Sequence, residues 1–145
     1  MVARTLSIKE IESILPQRYP FLLIDKVLDY KENDYLVAVK NITGNEWALG
    51  EGGEMGEFPQ ALLIEAAAQA AIVLYHVSKV KKGPRPQYFL GKVEAEFFSP
   101  VEVGDQLQIK ASSGKMMQTG GYSDITIESE NKKSCVIRIF YSTKS

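Results

Sequence analysis

FPQALLIEAAAQAAIVLYHVSKV, running from Phe58 to Val80, decides the fold. Between Ala61 and Tyr75 only two polar side chains, Glu65 and Gln69, interrupt an apolar run. They lie four residues apart, so on a helix they share one face, one turn from each other. Pro59 stands near the expected first turn, where a missing N–H costs nothing. Lys79, Lys81 and Lys82 fall at the far end and complement the helix dipole, and Gly83-Pro84 stops the helix. Pro59 to Val80 is thus read as one helix of about 33 Å, apolar nearly all round and suited to burial on every side. A carboxylate in the middle of such a helix is costly unless it has a partner or a task. Glu65 is therefore the first functional candidate.

Toward the N-terminus, Ser7 and Glu10 match a capping box, and Ile8, Ile11 and Leu15 recur at helical spacing, predicting a short helix ending near Pro16. Phe21 to Tyr30 and Tyr35 to Ile42 read as strands joined by the turn chemistry of Lys31 to Asp34, a hairpin. The glycine-rich segment Gly44 to Glu57 leads into the long helix. After it, Tyr88–Phe98, Gln106–Ser112, Gly121–Glu130 and Lys133–Ser142 read as a meander of strands, with turn signals at Val103-Gly104-Asp105, Ser113-Gly114 and Glu130-Asn131. No alternation of βα units supports a doubly wound parallel sheet. The expected architecture is α+β: an antiparallel sheet wrapped around the central helix, a hot-dog arrangement, in a single domain over residues 1–145.

Composition narrows the function. A chain of 145 residues can bury about 70 % of its unfolded surface without disulfide staples. Its single cysteine, Cys135, lies in an apolar strand-like run and reads as a core thiol, with no second cysteine for a metal cluster. Seventeen basic and eighteen acidic residues give no bias toward nucleic acid. MVARTLSIKE lacks the apolar core of a signal peptide, and the longest apolar run, cut by Glu65 and Gln69, is expected to be too short for a bilayer. A soluble, cytoplasmic protein without membrane, metal or other cofactor is expected.

Several stretches resemble one family, the (3R)-hydroxyacyl-acyl carrier protein dehydratases of fatty acid synthesis (FabZ-like, FabA-like), which have the hot-dog fold. They are Leu15 to Val27 (LPQRYPFLLIDKV), Ala38 to Ile42 with Asn45-Glu46, Phe58 to Gln69 (FPQALLIEAAAQ), and Tyr88 to Gly91 (YFLG) leading to Phe97 and Pro100 to Leu107. The resemblance implies a homodimer, or a higher oligomer built from dimers. Its composite sites act on acyl thioesters of acyl carrier protein or coenzyme A. It assigns Glu65 to catalysis with Gln69 in support, Phe58, Pro59 and Gln60 to the substrate side of the helix start, and Tyr88, Phe89, Leu90 and Gly91 to the acyl tunnel wall.

The chain departs from that pattern in four places. Counted without a gap, Gly52 stands where the family has its catalytic His, and Gln17 stands where its other His precedes Arg-Tyr-Pro-Phe. Gln60 replaces a glycine at the helix start. Glu96 and Phe98 fall where the family often carries basic residues that help hold an acidic carrier protein.

Dehydration of a 3-hydroxyacyl thioester needs a base for the α-proton and an acid for the leaving hydroxyl, both within hydrogen-bond reach. A carboxyl in an apolar setting has a raised pKa and suits the acid. His76, the only histidine, lies eleven residues beyond Glu65 and about 16 Å further along the axis, outside proton-transfer range within one subunit. Three readings follow. Glu65 works with a loop carboxylate, Glu51 or Glu54, or with water. Glu65 alone serves as base or nucleophile of a hot-dog thioesterase, with helix-start amides stabilising the oxyanion. Or the chain supplies Glu65 to a site completed by a His-bearing paralogue. Plainer readings stand beside these: Glu65 as a buried carboxylate bonded to Gln69, Gly50 to Gly56 as a lid or turn, Tyr88 to Leu90 as strand core, and Trp47 as a packed aromatic.

Overall fold

The computed structural model describes residues 4–46, 57–80, 85–130 and 132–144. Trp47, Glu51, Gly52, Glu54 and the other residues of 47–56, and Lys81 to Pro84, lie outside the described residues.

Helix α1 spans Ile8–Ile14 and opens on the complete capping box: Ser7 Oγ accepts from Glu10 N at 3.2 Å and Glu10 Oε1 accepts from Ser7 N at 3.0 Å. Ile11 and Ile14 face the core. Strands β1 (Lys26–Lys31) and β2 (Tyr35–Asn41) form the expected antiparallel hairpin. Asn33 takes the left-handed conformation in its turn, at φ 62°, where asparagine is among the residues best tolerated. Strand β1 starts later than Phe21 because the backbone of 21–23 bonds a side chain of the central helix instead of a strand.

The central helix α2 covers Gln60–Tyr75 and continues as a π-helical turn, His76–Val80. Pro59 is its N-cap, one residue earlier than a first-turn position. The wider turn begins where the His76 N–H bonds both Ile72 O and Val73 O. It carries Ser78 inward, and Ser78 Oγ accepts from Asn33 N at 2.8 Å, tying the helix end to the β1–β2 turn. Gln60–Val80 is, by length and composition, long and apolar enough to cross a membrane, contrary to the expectation from its interrupted run. Its most apolar window is 72 % buried inside the fold, so core packing accounts for that composition.

Strands β3 (Gln87–Phe97), β4 (Gln106–Met117), β5 (Gly120–Ser129) and β6 (Lys132–Lys144) complete an all-antiparallel sheet in the order β1-β2-β4-β5-β6-β3. Only β4, β5 and β6 form a meander, because β3 crosses to the far edge and pairs with β6. Strand β4 runs through the expected Ser113-Gly114 turn as a bulge. The Tyr122 ring covers Gly114, leaving no room for a Cβ.

The alanines of α2 (Ala66, Ala67, Ala70 and Ala71) are fully buried and let the helix approach the sheet closely. There it meets Ile109, Ile125, Ile127, Ile137 and Ile139 in one core cluster. The two sheet edges differ. Leu6 pairs with Val27 through two 3.1 Å hydrogen bonds and covers part of β1. Among the described residues, strand β3 has no neighbouring strand on its outer side, and it exposes nearly its whole length, Phe89 and Leu90 included. The result is the α+β hot-dog architecture, one sheet curved around one long helix.

Candidate active site

A cavity of about 650 Å³ opens between α2, β3 and the segment after α1. Its helical wall is Glu65, Ala68, Gln69 and Ile72, the three-and-four spacing of a single helix face. Tyr88, Phe89 and Leu90 from β3 form the opposite wall, with Tyr141 from β6, while Leu15, Pro16 and Gln17 close one side. Its size and mostly apolar lining suit a small-molecule chain. Arg85 and Gln87 contribute polar groups beside β3.

Glu65 is half-buried in this wall, and its carboxylate makes no hydrogen bond or ion pair among the described residues. Burial alone raises its pKa above the usual carboxylate value. Such a group retains a proton to higher pH and can deliver it. Gln69 is not bonded to it. Its Oε1 accepts from Leu23 N at 2.8 Å and its Nε2 donates to Phe21 O at 2.9 Å. The amide is thus committed to the backbone after α1, and the plain reading of a Glu65–Gln69 hydrogen bond is not what the structure has. Gln69 instead holds in place the chain that follows the Gln17 wall.

Arg18 acts on the same segment from outside. Its guanidinium donates to Leu15 O and Gln17 O at 2.8 Å each and to Glu12 O at 2.9 Å, gathering the carbonyls at the end of α1. The loop that presents Gln17 to the cavity is therefore pinned at both ends. Farther on, Lys40 and Glu46 form a largely buried ion pair at 3.1 Å, next to the start of the undescribed segment 47–56.

The expected site residues fall into two groups. Glu65, Gln69, Tyr88, Phe89 and Leu90 meet in the one cavity. Phe58 and Gln60 line a separate depression with Phe97 and Phe98, Pro59 lines neither, and Gly91 is exposed on β3 away from the cavity wall. His76 is buried in the π-helical turn and is not part of the wall. Among the described lining residues, the titratable side chains are Glu65, Arg85, Tyr88 and Tyr141. Apart from Glu65 itself, none of these serves as a base near neutrality, since arginine stays protonated and burial raises both tyrosines. Among the described residues no group of three or more His, Cys, Asp and Glu side chains could hold a metal ion.

Sequence reasoning missed Ala68 and Ile72, although their spacing from Glu65 marks them as its face. It also missed Tyr141, which looks like any core residue of an apolar strand. Gln17 was legible as a departure from a motif, and its place on the cavity wall required the fold.

Comparison with known proteins fits this geometry. A family model described as a FabA-like domain matches residues 15–139. The chain is 42 % identical over 109 residues to a 3-hydroxyacyl-acyl-carrier-protein dehydratase FabZ of Vibrio cholerae, covering 74 % of this chain and 71 % of the relative. It is 45 % identical over 108 residues to the FabZ of Haemophilus influenzae strain PittEE, covering 73 % and 72 %. Among solved structures, the dehydratase heterocomplex ApeI:P from Xenorhabdus doucetiae superposes with a TM-score of 0.80 at 17 % identity, over 93 % of this chain and 91 % of that one. A mutant of thioesterase PA1618 from Pseudomonas aeruginosa superposes with a TM-score of 0.71 at 12 % identity, over 97 % and 96 %. At those identities the structural likeness concerns the fold alone.

Proposed function

Because the chain belongs to the FabA-like family and is a homologue of the FabZ dehydratases, we propose that its cavity holds a 3-hydroxyacyl thioester and that Glu65 is the acid of its dehydration. The observation that carries this reading is a half-buried carboxyl, without a partner among the described residues, on the wall of an otherwise largely apolar, chain-sized cavity. In the reaction a base removes the α-proton and the electron pair forms the new C=C bond. The C3–O bond breaks, and the Glu65 proton leaves with the hydroxyl as water. Apolar residues along α2 and β3 hold the acyl chain in line with that carboxyl.

The base comes from outside the described wall. Counted without a gap, Gly52 stands where the family's catalytic His is expected, so we take the base to be a carboxylate of residues 47–56, such as Glu51 or Glu54, a water, or a group from a second chain. A second copy docks along β3, whose unpaired edge exposes Phe89, Leu90 and Val93 beside the cavity; such an edge invites pairing. We take the homodimer, the acyl carrier protein or coenzyme A thioester, the single domain over 1–145 and the cytoplasmic setting as parts of this same proposal. A half-site subunit is the second reading. It is favoured by a described cavity wall that offers no second acid–base group beside Glu65 near neutrality, and by the likeness in fold to a dehydratase heterocomplex.

The test is to incubate the protein with a 3-hydroxyoctanoyl thioester and, separately, octanoyl thioester, following both enoyl product and free thiol. Enoyl product that is lost in Glu65→Gln supports the dehydratase. Free thiol lost in the same variant makes the protein a thioesterase. Turnover that appears only on adding a His-bearing paralogue assigns it to a composite site.

A further inference from the structure

A carbonyl oxygen that takes up charge in a transition state is stabilised by a fixed hydrogen-bond donor aimed at it. In the dehydration of a 3-hydroxyacyl thioester that oxygen belongs to the thioester carbonyl, onto which the electron pair left by the α-proton spreads. Among the described residues, the side-chain donors on the cavity wall are Gln17, Gln69, Arg85, Gln87, Tyr88 and Tyr141. The Tyr88 and Tyr141 hydroxyl oxygens are closed off from accessible space, so no occupant of the cavity reaches them. Gln69 is 1 % exposed and its amide is bonded to the backbone of 21–23. The start of α2 offers no side-chain donor here either, since Gln60 lines the separate depression.

Position separates the remaining three. Strand β3 runs antiparallel to α2, for Tyr88 packs on Tyr75 while Phe97 shares the separate depression with Leu63. Tyr75 is about 15 Å along α2 from Glu65. Arg85 and Gln87, which precede Tyr88, therefore lie at the end of the cavity away from Glu65. Gln17 does not. Phe21 N donates to Arg18 O at 2.7 Å, closing a turn that folds Gln17 back toward the 21–23 segment held by Gln69. Gln69 is one helical turn from Glu65, about 6 Å along the axis. Arg18 fixes the Gln17 backbone by donating to its carbonyl at 2.8 Å. Gln17 Oε1 is enclosed, whereas its Nε2 is not, and Nε2 makes no hydrogen bond among the described residues. The wall near Glu65 thus carries one anchored, half-buried amide whose donor is uncommitted.

We infer that Gln17 is a further catalytic residue of this site, its Nε2 donating a hydrogen bond to the thioester carbonyl oxygen of the bound acyl group. This rests on the acyl-thioester reading of the same cavity. The α-carbon joins the carbonyl carbon to C3, so the donor for the carbonyl and the acid for the 3-hydroxyl must sit close together, as Gln17 and Glu65 do on adjoining walls. When the base takes the α-proton, the electron pair moves onto the carbonyl oxygen that Gln17 holds. The pair then returns to form the C=C bond as the C3–O bond breaks, and the Glu65 proton leaves with the hydroxyl as water. A neutral amide neither gains nor loses a proton in this cycle, so its contribution does not vary with pH.

Isotope-edited infrared difference spectroscopy of octanoyl-coenzyme A, labelled with carbon-13 at its carbonyl, reads this hydrogen bond without relying on turnover. Bound to wild type, the carbonyl stretch should lie at lower frequency than when bound to Gln17→Met, which keeps the length of the side chain and lacks the donor. Gln17→Leu is the second variant, and thermal melts show that each folds. Calorimetric titration should show octanoyl-coenzyme A binding about two- to tenfold more weakly to the variants. One carbonyl frequency in wild type and both variants, with the thioester bound to all three, overturns the inference and leaves the acyl-thioester reading standing. Wild-type protein that binds no octanoyl-coenzyme A overturns that reading itself, and the inference with it.

Discussion

Replacing Gln69 with methionine removes a side chain that joins the central helix to the backbone of 21–23. The change keeps length and unbranched shape, so packing is nearly conserved. Gln69 is 1 % exposed, and the Leu23 N–H it bonds at 2.8 Å belongs to a residue that is itself buried. Orphaning that N–H costs about 1–3 kcal/mol, and losing the bond to Phe21 O adds about 0.5–1.5 kcal/mol. A total of about 2–4 kcal/mol corresponds to a fall in Tm of about 5–15 °C for a chain of this size. Urea denaturation gives the free energy, and hydrogen exchange read at the Leu23 amide locates it. The expected result is a lower midpoint with unchanged slope and a Leu23 amide that exchanges faster than the core strands. Gln69→Glu keeps the acceptor for Leu23, loses the donor toward Phe21 and buries a carboxylate one turn from Glu65, so at pH 7 it should be destabilised at least as much. A midpoint within error of wild type, with Leu23 still protected, would refute the role given to Gln69.

Three further outcomes are expected. Because burial raises the Glu65 pKa, the folded state binds its proton more tightly than the unfolded chain, so stability falls as pH rises past the ordinary glutamate value of about 4.3 through the raised folded value. Glu65→Gln should therefore melt higher than wild type at pH 7 and equal to it below about pH 4; a variant that is less stable at pH 7 contradicts this. Lys40→Met leaves the largely buried Glu46 without its countercharge, held only by Thr43 among the described residues, and should cost about 1–3 kcal/mol in urea denaturation. The double variant Lys40→Met/Glu46→Leu should recover much of that loss, and a neutral single variant would show the pair to be dispensable. Cys135 is fully buried, and burial pushes its thiol up to about 11, so a thiol reagent should modify it only once the chain is unfolded. Fast modification of the native protein would place the thiol at an accessible surface.

The parts of the fold that depend on local pattern were legible in the sequence. The capping box of Ser7 and Glu10, the hairpin around Asn33 and the apolar helix each follow from a few neighbouring residues. The parts that depend on distant contacts were not. Phe21 to Leu23 has strand-like composition, yet Gln69, almost fifty residues away, bonds the Phe21 carbonyl and the Leu23 amide. Gly114 reads as a turn until the Tyr122 ring is seen to lie over it. The far-edge position of β3 is a question of sheet topology, which strand composition does not specify. The site divides the same way. Glu65 stood out because a carboxyl in a greasy helix breaks the pattern around it. Tyr141 broke no pattern, and its place on the cavity wall is visible only with β3, β6 and α2 assembled.

The account turns on Glu65 delivering a proton inside an acyl-binding cavity. Its most direct test is the rate of enoyl thioester formation from a 3-hydroxyacyl thioester as a function of pH, in wild type and in Glu65→Gln. The proposal predicts a rate that declines as pH rises through the elevated Glu65 pKa, and a loss of about 10²-fold or more in the variant. A Glu65→Gln protein that forms enoyl product at the wild-type rate would contradict it.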